Sequence, residues 1–202
     1  MRKEKDSLGE KDIEDVYYGI HTARALENFN IKNKRVNEEL IKAIALIKIA
    51  AAEANKKAGK LDENIANAIK EAANDLIVGN YIDAFVLPSI QGGAGTSTNM
   101  CINEVIANIA LEKLGHNKGD YQIISPLDHV NHSQSTNDVY PTAVKIASIK
   151  LLRELLDETM ALQQELQNKE KEFSNVLKIG RTQFQDAVPL TLGQEFGAYA
   201  EA

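Results

Sequence analysis

The residues best placed to do chemistry in this chain are neutral ones. Three segments concentrate hydroxyl and amide side chains: QGGAGTSTN at 91–99, SQSTND at 133–138 and GRTQFQDAVP at 180–189. The spacing of apolar residues predicts a helix after each. Helix N-termini present unpaired N–H groups and a partial positive charge, so they attract anions. Capping is the ordinary role of Ser, Thr, Asn and Asp there, and it accounts for one or two residues per helix. It does not account for an unbroken run such as SQSTND. The chemistry that fits is recognition of a small anion by several neutral donors.

Other groupings point to less. GGAGTS lacks the lysine of a P-loop and no βαβ pattern surrounds it. Its glycines suit close approach of backbone N–H groups to a small ligand. His129 and His132 are three apart, but no further ligand cluster accompanies them, so a polar loop role is expected and no metal. Cys101 lies in an apolar helical pattern and reads as a core thiol. Asp138 and Asp186 read as caps or loop anchors. No cofactor motif is present.

The elements that must hold these loops are mainly helical. Residues 1–36 read as irregular, with a solvated MRKEKD start and a candidate hairpin at Val16, Tyr17 and Tyr18. Leu40, Ile41, Ile44, Ile47 and Ala51 predict a helix from Asn37 to Gly59. A second follows an Asp62 cap, carries Ile65, Ile69, Ala72, Ala73 and Leu76, and stops at Gly79. A third carries Ile102, Val105, Ile106 and Ile109 and closes at Gly115. Residues 116–137 read as loop. From Asp138 to about Phe173 nothing breaks the pattern after Pro141, which is tolerated in a first turn. This rod would be about 50 Å long. Ala143, Ala147, Leu151, Leu155, Leu162 and Leu166 lie on one side, and Leu152, Leu156 and Met160 widen that face. Such a helix needs several neighbours, from more chain or other subunits.

Composition narrows the class. The 202 residues carry 23 basic and 29 acidic side chains, a net charge of −6, which argues against nucleic acid. No apolar run approaches the roughly 20 residues of a membrane span, and no signal-peptide pattern opens the chain. One cysteine excludes an internal disulfide. A soluble cytoplasmic protein is expected. The final GQEFGAYAEA reads as a helix just begun, so a fragment is expected too.

Taken together, the segments resemble the aspartase/fumarase superfamily. YYGIHTARALENF, QGGAGTSTNMCINEVIAN, DHVNHSQSTNDVYP and GRTQFQDAVPLTLGQEF are similar to four of its motifs, in the same order. The resemblance implies a mainly α fold: an N-terminal lyase domain (1–134) followed by the beginning of a central helical bundle domain (135–202). It implies a small dicarboxylate substrate, no cofactor, and a homotetramer whose sites draw on three subunits. GAGTSTN, SQSTND, Ser125 in SPLDHVN and Gln183 in GRTQ favour the aspartase branch, which releases ammonia from L-aspartate to give fumarate. A class II fumarase, or an inactive truncated product, is the alternative. Thr96, Ser135 and Thr136 would hold the β-carboxylate, and Asn137, Thr182 and Gln183 would surround the amino group. The family's base is a serine on a Gly-Ser-Ser loop with nearby Lys and Asn, and no such motif occurs here. That catalytic residue is expected beyond residue 202. Two departures stand out: Cys101 where Asn is usual, expected to pack as a small hydrophobe, and Leu127 where Asn is usual, expected away from the substrate.

Overall fold

A computed structural model describes residues 1–32 and 34–202. The fold is mainly α. It comprises two compact units, Met1–Ser148 and Ile149–Ala202.

The first unit opens with an antiparallel hairpin, β1 (Arg2–Asp6) and β2 (Gly9–Ile13), with Arg2 opposite Ile13 and Asp6 opposite Gly9. The sequence placed any hairpin later, at residues 16–18, and read the start as solvated. The structure corrects both readings. RKEKD and GEKDI alternate no apolar face, so the usual strand signal is missing. What docks the hairpin is polar. Glu4 is only 5% exposed and accepts from Arg2 Nε (2.7 Å), Ile20 N (2.7 Å) and Tyr121 OH (3.0 Å). Arg24 grips Asp6 with two hydrogen bonds of 2.7 and 3.0 Å.

Helix α1 (Ile20–Asn28) follows, and its first amides are satisfied from outside the helix. Glu104 accepts from Gly19 N, His21 N, Thr22 N and Thr22 Oγ1. Gly19 makes room for this: a Cβ there would lie 2.6–2.8 Å from Tyr121, Glu4 and Glu104 oxygens.

The core is built by α2 (Glu38–Lys57), α3 (Glu63–Ile77) and α4 (Thr96–Lys113). Asn37 caps α2 by accepting from Glu39 N, and Asp62 caps α3 by accepting from Asn64 N and Ile65 N, as the sequence predicts for Asp62. Helix α4 is buried on nearly all sides from Ser97 to Leu111, polar residues included. That explains why it has no single apolar stripe: a helix enclosed all round has no solvent face to mark. Between α4 and the next helix, a short widened turn spans Pro126–Val130.

Helix α5 (Thr136–Glu172) is 37 residues, about 55 Å at 1.5 Å per residue. It begins two residues earlier than the sequence predicts, which moves Pro141 into the second turn. Pro141 has no N–H, so the Asn137 carbonyl loses its usual i+4 partner. Only Val139, Ala143 and Ala147 of α5 are buried. Leu151, Leu152, Leu155, Leu156, Met160 and Leu162 are exposed.

In the second unit, the end of α5 is followed by a hairpin, β3 (Leu177–Thr182) and β4 (Gln185–Thr191), and by α6 (Leu192–Glu201). Thr191 and Gln194 close a capping box at the start of α6. Phe173 and Phe196 stack 5.6 Å apart, and Gln163 Nε2 donates to the Ala200 carbonyl. Among the described residues, no helix is long and apolar enough to cross a membrane.

Candidate functional site

The start of α4 is shaped by glycine. Gly93 and Gly95 adopt φ of +79° and +86°. Gly95 is buried, and a Cβ there would sit 2.3 Å from the Tyr140 ring of α5. The N-terminus of α4 therefore abuts the first turns of α5, with backbone where any other residue would have a side chain. Thr98 N donates to Gln91 Oε1, so Gln91 supplies the cap that Gly95 cannot. Thr96 is exposed at the first helical position, and its hydroxyl donates to the Gly93 carbonyl at 2.6 Å.

At the start of α5 the hydroxyls are oriented differently. Ser135 Oγ accepts from Asn137 N (3.2 Å), while the Asp138 carboxylate accepts from Ser135 N (3.3 and 3.4 Å). The two bonds tie the first turn reciprocally, although the hydroxyl takes the second helical amide and not the third as in a capping box. The cap uses Ser135 as an acceptor and leaves its O–H proton to donate. Thr136 Oγ1 likewise accepts, from Asn99 Nδ2 at 3.2 Å. Asn137 is exposed in the first turn. Capping and anion binding are thus compatible at Ser135, because they use opposite sides of one hydroxyl.

Beneath this turn lies a buried polar cluster that the sequence reading did not single out. Asn131 Oδ1 accepts from Lys48 Nζ (3.0 Å), Asn99 Nδ2 (3.1 Å) and Asn103 Nδ2 (3.1 Å). Lys48 Nζ also donates to Gln134 Oε1 at 2.9 Å. Gln134 Nε2 ties back to the carbonyls of Val130 and His132, and Asn55 Nδ2 donates to the His132 carbonyl. The Lys48 side chain is 0% exposed. Burial pushes its amine down to about 7, with the Asp138 charge opposing the shift. One signal was available in the sequence. Lys48 and Asn55 lie on the stripe of Ile41, Ile44 and Ala52, the face of α2 that is buried.

Thr182 and Gln183 belong to the second unit, at the end of β3 and in the turn to β4. The sequence placed the GRTQFQDAVP segment just before a helix; the structure makes it a hairpin instead, with α6 starting only at Leu192. Gln183 and Phe184 have φ of +52° and +60°. Two left-handed residues in a two-residue loop are the mirror-image turn that matches strand twist. Asn and Gly usually mark it, and neither is present, so the signal was hidden. Thr182 and Gln183 are exposed, and Arg181 pairs with Asp186 across the strands at 2.7 Å.

The remaining candidates are structural in their contacts. Ser125 Oγ accepts from Leu127 N and Asp128 N and donates to Asp128 Oδ2. His129 Nδ1 accepts from Ser125 N, and His132 Nδ1 lies 3.0 Å from the Asp128 carbonyl. Cys101 is buried in α4, and burial pushes its thiol up to about 12. It packs as a small apolar group, as its pattern predicts. Leu127 is 59% exposed. A cavity of about 1020 Å³ lies beside the first hairpin, α1 and residues 125–127, and reaches Ser97 and Met100 at the start of α4. Two of its charged residues are committed, Arg24 to Asp6 and Glu104 to the amides of α1.

The profile of a protein family described as lyase matches residues 10–202. The chain belongs to this lyase family. Two curated relatives are named aspartate ammonia-lyase. The one from Bacillus sp is 54% identical over 201 residues, 99% of this chain and 43% of the relative. The one from Escherichia coli (strain K12) is 48% identical over 204 residues, again 99% and 43%. The chain thus spans less than half the length of these relatives. Among solved structures, it is similar to a fumarate lyase:delta crystallin from Brucella melitensis, with TM-score 0.91 and 52% identity over 100% of this chain and 46% of that one. A class II fumarase from Schistosoma mansoni gives TM-score 0.87 and 37% identity over 99% of this chain and 43% of that one.

Proposed function

We propose that this chain is the N-terminal portion of an aspartate ammonia-lyase, which converts L-aspartate reversibly to fumarate and ammonia. Residues 1–134 form its N-terminal domain and 135–202 the beginning of its central bundle. The observation that carries the reading is the paired set of polar helix starts at Thr96 and at Ser135–Asn137. The curated relatives named aspartate ammonia-lyase, at 48–54% identity, support the substrate.

The chemistry follows from the substrate. The Cβ proton of aspartate is weakly acidic, and its loss is tolerable only if the adjacent β-carboxylate takes up charge as an enediolate. Donors aimed at that carboxylate stabilise it as an oxyanion hole does, each by about 2–4 kcal/mol. Ser135 and Thr136 are suited to this, since both accept hydrogen bonds from the protein and keep a proton for the ligand. Thr96 completes the grip by turning its proton from Gly93 to the carboxylate. Asn137, and in the assembled protein Thr182 and Gln183, are proposed for the leaving amino group, where a neutral amide accepts from an ammonium without adding charge. The base is a serine contributed by chain beyond these residues. The exposed apolar face of α5 beyond Ile149 is the seam of a homotetramer in the cytoplasm.

The test is to give the full-length protein L-aspartate and, separately, L-malate, and follow the ultraviolet absorbance of fumarate. Fumarate from aspartate with none from malate is expected. Turnover of malate alone makes the protein a fumarase and overturns the reading. The chain 1–202 by itself is expected to release no ammonia.

A further inference from the structure

We propose that Lys48 is a positioning residue for the substrate loop: from inside the core it fixes Asn131 and Gln134, and through them the Ser135–Thr136 turn. The inference rests on the loop being the carboxylate grip described above.

Three observations carry it. First, the placement is anomalous. A fully buried lysine sits mid-helix on the apolar face of α2, and its amine meets two neutral amide oxygens rather than a carboxylate. A cation there is expensive to keep, and cores usually do without one. Second, its two acceptors bracket the loop. Asn131 ends the widened turn at Pro126–Val130 and Gln134 precedes Ser135, so one ammonium ties both sides of the left-handed bend at Ser133 (φ +57°). Asn131 also closes the bend itself, its Nδ2 donating to the Gln134 carbonyl at 3.1 Å. Third, the network reaches the hydroxyls. Asn99 Nδ2 bridges Asn131 Oδ1 and Thr136 Oγ1, so the atom held by Lys48 shares a donor with a proposed carboxylate ligand.

The physical logic is preorganisation. Oxyanion donors work only if they are aimed before charge develops, and aiming them needs a rigid support. The backbone bonds of the five-residue link 131–135 close only single turns, from Asn131 N, His132 N and Gln134 N, so further support must come from side chains. The Lys48 amine with its two acceptors supplies it, since it ties both to the middle of a packed helix. Lys48 acts through Asn131 and Gln134, not by touching substrate.

The test uses the full-length protein with Lys48→Met and Lys48→Arg, read by amide hydrogen exchange and by steady-state kinetics. In Lys48→Met, exchange across residues 129–140 is expected to rise at least tenfold, with α3 unchanged, and kcat/KM for aspartate to fall at least tenfold. If Lys48→Met does not fold, Lys48→Arg carries the test. It keeps the charge with a different fork of donors, and a threefold or greater rise confined to 129–140 is expected. Exchange rising equally through α2, α3 and α4 would mean ordinary core loss and overturn the proposal. So would exchange at 129–140 within twofold of wild type. A wild-type protein inactive on aspartate sinks the functional reading, while the exchange data still decide the role of Lys48.

Discussion

Two of the three polar loops, those at 131–137 and 182–185, are held in opposite ways. The turn at 131–137 rests on a polar floor of buried Lys48, Asn99 and Asn103 and half-buried Asn131. The turn at 182–185 has only its own hairpin: Thr182, Gln183 and Phe184 are exposed, and the two turn residues sit in left-handed conformations that β-carbons disfavour. The difference matches the tasks proposed for Ser135 and Thr136 in the one and for Thr182 and Gln183 in the other. Residues that meet a developing negative charge gain from rigidity. Residues beside a departing ammonia can belong to a turn that the rest of an assembly must complete. A braced loop and a bare one on one chain teach that the polar segments are not equivalent, although their compositions look alike.

The comparison breaks most sharply at Gly95. Gly95→Ala places a Cβ in the Tyr140 ring at a left-handed φ, and about 2–4 kcal/mol of stability is expected to go. Urea unfolding of the full-length protein measures it; a loss under 1 kcal/mol would mean that α4 and α5 are not in the contact described. Ser135→Ala comes next. It removes a donor from the braced loop, and kcat is expected to fall about 100-fold, in the manner of a lost oxyanion donor, with the thermal midpoint shifted far less. Activity kept in full would remove Ser135 from the grip.

Lys48 gives the brace a pH signature. Its amine is pushed from 10.5 in the unfolded chain to about 7 when buried. Between those values the unfolded chain holds a proton that the folded one has released. Unfolding then takes up a proton, so this group makes stability rise with pH across that window and leaves it flat below 7. Guanidinium midpoints from pH 7 to 10 are expected to show this rise in wild type and a smaller one in Lys48→Met. Equal slopes would mean that the amine is not desolvated.

The smallest effect belongs to the bare turn. Phe184 is 102% exposed with φ +60°, so Phe184→Gly relieves strain without losing packing. A gain of about 1 kcal/mol is expected from denaturant unfolding. A loss would show that this side chain is engaged in the assembled protein.

How much was legible follows from which signals a sequence carries locally. Helices α2 and α3 were readable because their apolar periodicity and the Asp62 cap lie within a few residues of each other. The first hairpin was not, since its strands are charged and its docking partners, Arg24 and Tyr121, are distant in sequence. The second hairpin hid behind a Gln-Phe turn without glycine. At the candidate site, the hydroxyl-rich runs stood out by composition, whereas Lys48 was passed over as one lysine among the polar residues of a helix.

The sequence by itself determined the helical periods, the glycine positions and the order of the polar segments, because spacing along a chain sets which residues share a face. Only the tertiary structure decided that α4 is enclosed on nearly all sides, that Glu104 caps a helix from across the unit, and that a lysine from α2 stands under Ser135. Those are contacts between residues as many as 86 positions apart, and burial, which gives each its strength, exists only once the elements have packed.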